Sequence, residues 1–215
     1  MPEPNFVQRN ALEVNKEEAQ QKVSEASNTF NTKLFEQIGR KTNSNIILSP
    51  FSVEMVMGMV LSGAKGETDK QIRSGSSLPN NEYLLPGFNN ILNAMNIAGN
   101  TNFTLQAANR LYIRNDLTVL SSFLETNRKY YMAVPEQIDF KNEEVARGQI
   151  NSWVEEQTKN KIKDLIPEGL ITPNTALVLV NALYFKGDWD NKFDNSSTYK
   201  QKFYTSDRKT IQVDM

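Results

Sequence analysis

The residues best placed by type and spacing for covalent chemistry are Ser62 and Lys65. Their S-x-x-K pattern is that of acyl-transfer enzymes in which a lysine sits beside the serine nucleophile. The S-D-N and K-T-G companions of that machinery are absent, and the favoured reading is a helix end and a covered turn. Gly63-x-x-Gly66 is neither a dinucleotide fingerprint nor a P-loop and reads as a packing turn. The acidic pairs Glu17-Glu18, Glu143-Glu144 and Glu155-Glu156 fall on polar helix faces, where solvated charge outweighs an acid/base pair. Lys159, Lys161 and Lys163 form a small basic patch diluted by Glu155, Glu156 and Asp164. The chain has no histidine and no cysteine. That removes the Ser-His-Asp triad, the Cys-His pair, and imidazole or thiolate metal sites. The expectation is a protein that is not an enzyme, with no catalytic, cofactor or metal residue.

Polar residues inside apolar elements are more informative. Asn181 sits within Leu177-Val-Leu-Val-Asn-Ala-Leu-Tyr-Phe185, where an unpaired buried amide costs about 1–3 kcal/mol. Ser49 and Ser52 open another apolar segment. One polar cluster joining helix start to strand centre would account for all three. Separate caps with local hydrogen bonds account for them equally well.

The elements that must position these residues follow from periodicity. Residues 1 to about 16 carry none and read as a tail, so that 1–24 form a tail and helix start. Val23, Ala26, Phe30, Leu34 and Ile38 then mark one helix face ending at Gly39. Ser49-Pro50 is an N-cap followed by proline at the first helical position. The helix over 51–61 is apolar nearly all round, with Glu54 its only charge, and reads as a central core helix. Thr68-x-x-Gln71 and Ser122-x-x-Glu125 are capping boxes that should open two further helices. A helix is expected over 83–97, strands over 105–113 and 134–140, and an amphipathic helix over 143–160 with Val145, Ile150, Trp153, Val154 and Thr158 inward. The run 176–185 reads as a strand covered on both faces in the middle of a sheet, and 199–215 as two short strands around Ser206-Asp207. Helices first and strands mixed in later indicate an α+β fold.

With 24 basic against 25 acidic residues the net charge is -1, which draws in neither nucleic acid nor an anionic membrane. No apolar run approaches the ~20 residues of a membrane span. The N-terminus lacks the features of a signal peptide, and cytoplasmic residence is open. Asn102 and Asn195 begin N-glycosylation sequons.

Three long motifs carry a family resemblance. The segment 45–68, Asn-Ile-Ile-Leu-Ser-Pro-Phe-Ser-Val-Glu and onward, resembles the early helix of the serpins. Asn151-Ser-Trp-Val-Glu-Glu-Gln-Thr158 is similar to the helix crossing the front of their main sheet, and Asn181-Ala-Leu-Tyr-Phe-Lys-Gly-Asp-Trp189 to their central-strand motif. The resemblance covers 25–215, the N-terminal portion of a single serpin domain. It implies a helical N-terminal region and a large mixed or antiparallel main sheet, truncated before the C-terminal strands and the reactive loop.

The resemblance also implies a function. The complete form is expected to be a suicide-substrate inhibitor of a serine protease, whose cleaved loop inserts as a strand beside 176–185. The alternative is a non-inhibitory carrier, chaperone or storage protein. Ser49, Ser52 and Asn181 would form a polar gate under the main sheet, completed by a histidine from the missing part, and Trp189 would mark its top. Expected partners are the protease, once the C-terminal part is present, and the chain's own C-terminal fragment. Residues 80–96 match a heparin-binding helix of some serpins but hold no lysine or arginine, so heparin is not expected there. An extracellular, secreted location follows from the resemblance alone.

Overall fold

The computed structural model describes residues 14–97 and 103–215. The start of the expected tail and Asn102 lie outside these residues. The chain divides into two compact units, one running to Phe185 and one from Lys186 to Met215.

The first unit begins with four helices, α1 (Lys16–Gly39), α2 (Pro50–Leu61), α3 (Gly66–Ser76) and α4 (Asn81–Ile97). Strand β1 (Phe103–Arg114), helix α5 (Ser121–Tyr131) and strand β2 (Ala133–Ile138) follow, then α6 (Glu143–Gln157) and β3 (Leu177–Gly187). The sheet order is β2-β1-β3. β1 and β2 run parallel, with Asn109 opposite Ala133 and Arg114 opposite Ile138, because α5 carries the chain back across the sheet between them. Arg114 N donates to Ala176 O at 3.0 Å, Asn109 meets Asn181, and the tilted rings of Phe103 and Phe185 lie 6.4 Å apart between centroids. This reversed order makes β1 and β3 antiparallel, so the sheet is mixed.

Alternation along β1 explains the two cores. Ala107, Leu111 and Ile113 join Val23, Met55, Met59, Phe88 and Tyr131 on the helical side. Tyr112 joins Ile150, Trp153 and Val154 of α6 on the other. Burying each such large apolar side chain contributes roughly 1.5–3 kcal/mol. At the crossing of α1 and α4 only glycine fits at position 87, where a Cβ would lie 2.5 Å from the Ala19 carbonyl oxygen.

Several expectations are corrected. β3 is covered on both faces, with Leu179 and Leu183 against one core and Val178 and Val180 against the other, but β1 is the central strand and β3 lies at the edge. The α2 helix is not buried all round, since Val53 and Met57 remain 39% and 36% exposed. Neither capping box operates. Lys65 and Leu120 are the N-caps of α3 and α5, without side-chain bonds, because each helix starts before the box and places its hydroxyl inside the first turn. Val145 of α6 is exposed and Ala146 takes the inward position. That helix also stops early. The Thr158 hydroxyl donates to Val154 O and accepts from Ile162 N, and Lys159 and Asn160 turn left-handed with φ of 52° and 59°.

The second unit contains a 3-10 turn at Asn195–Ser197 and an antiparallel hairpin of β4 (Lys200–Tyr204) and β5 (Thr210–Asp214). Phe203 faces Ile211 across it, and both stay exposed.

The β3 edge and the open α2 face predict the behaviour of the isolated chain. An edge strand with apolar flanks is a template for pairing with other chains. Light scattering on the purified 215-residue chain at micromolar concentration should show self-association. A clean monomer with a cooperative melt would contradict this.

Candidate functional site

The polar residues singled out from the sequence fall under the sheet in two groups. Ser49 caps α2, accepting from Ser52 N at 3.4 Å, and the two hydroxyls lie 2.9 Å apart. Pro50, at the first helical position, holds the turn that brings them together. Both serines are half-buried.

Asn181 does not hydrogen-bond into this pair. Its Nδ2 donates to Asn109 Oδ1 at 2.8 Å and to the Met55 sulfur at 3.6 Å. Asn109, fully enclosed, donates in turn to Tyr131 O at 2.7 Å and to the same sulfur at 3.0 Å. One knot of bonds thus ties the centre of β1 to β3, to the floor helix α2 and to the end of α5. Asn181 Oδ1 is buried with no partner, an acceptor left open. Asn181 and Ser52 do share one cavity of about 340 Å³, lined also by Val53, Met57, Leu165 and Val180. The two groups therefore meet across a space rather than through a bond.

Asn109 and Met55 were not singled out from the sequence. The signal for Asn109 was present, as an amide at an inward position of a period-two strand, the same signal that marks Asn181. A methionine acting as acceptor for two amides has no such signal.

The far face of the sheet holds a second polar set. Arg110 binds Glu136 at 2.7 Å and lies over the Trp153 ring at 4.8 Å. Burial raises the Tyr112 phenol above its ordinary pKa, and the charge of Arg110 offsets part of the rise.

Ser62 is not arranged as a nucleophile. Its hydroxyl donates to Met59 O at 2.7 Å and accepts from Asn127 Nδ2 at 2.6 Å. Glu144 pairs with Arg147 and Glu155 with Lys163, as solvated surface charges do. Trp189 is 81% exposed in the second unit. Asn195 is exposed at the start of its turn, which Asp194 caps by accepting from Ser196 N at 2.9 Å. Among the described residues no helix is long and apolar enough to cross a membrane.

A mixed sheet with α2 as its floor carries an amide pair at its centre. The serpin (serine protease inhibitor) family model matches residues 25–215, and the chain belongs to that family. Serpin B6 of Bos taurus is 40% identical over 189 residues, covering 86% of this chain and 50% of its own length. Ovalbumin of the emu (Dromaius novaehollandiae) superposes with a TM-score of 0.82 at 28% identity, over 88% of this chain and 53% of that one. Cleaved kallistatin complexed with heparin gives a TM-score of 0.84 at 27% identity, over 91% and 58%. The chain spans about half the length of the relatives it matches.

The knot can be tested in the full-length protein. Asn181→Ala and Asn109→Ala should each cost about 1–3 kcal/mol, since either leaves a buried partner unpaired. The double variant should cost less than the sum, because the two amides share one bond. Urea unfolding measures this, and full additivity would separate the two residues.

Proposed function

We propose that the whole protein containing this chain inhibits a serine protease. The protease cleaves an exposed loop carried by the C-terminal part, the loop adds as a strand beside β3, and the acylated protease is carried along and distorted. The observation that carries the reading is β3 itself. It is apolar on both faces and ends the sheet order, so one side of its backbone can accept a further strand. The unpartnered Oδ1 of Asn181 and the cavity beside Ser52 suit a donor side chain from the same C-terminal part. Ser49, Ser52 and Asn181 are then the gate whose hydrogen bonds resist sheet opening.

Heparin, present on the kallistatin neighbour, is not expected as a partner through α4, which carries Glu82 and no lysine or arginine. A polyanion has no counter-charge there.

The full-length protein should form a covalent, SDS-resistant complex when incubated with trypsin-like or chymotrypsin-like enzymes. Cleavage with stoichiometric turnover and no trapped complex would instead favour a carrier, chaperone or storage role.

A further inference from the structure

The one acidic residue of α2 has no place in the scheme above. Glu54 is completely buried, and neither carboxylate oxygen has a hydrogen-bond partner. Orphaned polar groups surround its face of the helix. From α1, the Ser27 hydroxyl faces it without reaching hydrogen-bond geometry. From α5, Tyr131 packs at Gly58, one turn further along the same face, where a Cβ would lie 2.7 Å from the phenol oxygen. That oxygen is also unpartnered. From α3, Arg73 is held by Asp69 at 3.0 Å, and its charge acts on Tyr131 rather than on Glu54. Helix α4, which meets α2 through Phe88 and Phe51, carries Glu82, exposed in its first turn, and Tyr83, whose ring lies under Lys22 of α1. Among the described residues no cation pairs with this carboxyl.

A carboxylate without a cation or donors is strongly disfavoured in such a site, whereas the neutral acid keeps an O–H to donate. Burial accordingly raises the Glu54 pKa from 4.5 to about 7, with Ser27 lowering it in part. The next residue along the helix is Met55, whose sulfur accepts from Asn109 and Asn181. A shift of this turn of α2 therefore acts directly on the knot that joins β1 to β3.

We infer that Glu54 is a proton-operated lock, holding α2 against α1 while neutral and loosening the floor of the sheet when it ionises. The inference does not depend on whether the protein inhibits a protease. Its sign follows from proton binding. Between pH 4.5 and 7 the folded state retains a proton that the opened state releases, so stability falls as pH rises through that window and levels off above it.

Hydrogen exchange on the full-length protein tests this. With intrinsic rates divided out, protection of the α2 amides should fall about tenfold between pH 6 and pH 8. The fall should extend to the β1 and β3 amides around Asn109 and Asn181. Glu54→Gln, neutral at every pH, should keep its pH 6 protection at pH 8. An equal fall in the variant would overturn the lock, and a fall confined to α1 and α2 would overturn its coupling to the sheet. Should the variant not fold, the carbon-13 shift of the wild-type Glu54 carboxyl decides. A midpoint near 7 supports the lock, and one near the ordinary 4.5 refutes it.

Discussion

An amide enclosed between a sheet and a helix has to find partners, and the organisation of the first unit follows from how Asn109 and Asn181 find theirs. The backbone ladder alone would hold β1 to β3 at any register that buries the same faces. The bond between the two side-chain amides, at 2.8 Å, selects one register, because a shift by one residue would turn Asn181 to the α6 side. The Met55 sulfur and the Tyr131 carbonyl then fix the pair to α2 and to the end of α5. Helical floor and sheet are thus joined at a polar point as well as through the apolar contacts of Leu111, Met59 and Phe88.

The two faces of the sheet are held by different physics. Against the helices, the contacts are apolar and deep, with a few polar atoms that are each costly to leave unpaired. Against α6, the contact includes an arginine sandwiched between Glu136 and the ring of Trp153. A partly exposed ion pair and a cation–π contact contribute about 1 kcal/mol or less each. The α6 side is therefore easier to disturb by salt or solvent than the floor. Movement of the floor requires a change inside it, and the unpartnered Glu54 is a group able to make one.

Most elements were legible from their apolar spacing: α2 behind Ser49-Pro50, and β3 as a run of leucine, valine and aromatic residues interrupted only by Asn181 and Ala182. What failed was chemistry shared with other elements. The capping boxes misled because Gly66, at φ of 61°, and Leu120 start their helices earlier, a choice made by packing that no four-residue pattern records. On α6 the inward position falls to Ala146, while its neighbour Val145 stays exposed. The grouping of Ser49 with Ser52 was legible as a cap. The partner of Asn181 was not, since the strand that supplies it lies 72 residues earlier. Glu54 was visible as a lone charge in an apolar helix, but its burial depends on α1 and α5, which periodicity cannot place.

The same reasoning separates what these residues hold together from what they leave open. Val53 and Met57 on α2, and Leu177 and Phe185 on β3, are large apolar side chains at or above a third exposed, although each element is otherwise anchored in a core. In the second unit the pattern is sharper. Register places Phe203, Ile211 and Val213 on one face of the β4–β5 hairpin and Lys200, Lys202 and Gln212 on the other, yet only Val213 is even half-buried. A two-stranded hairpin has little stability without a layer over its apolar face. Its alternation is that of a strand pair meant to be covered on one side, and no described residue of that unit supplies the cover. The relatives are about twice as long as this chain.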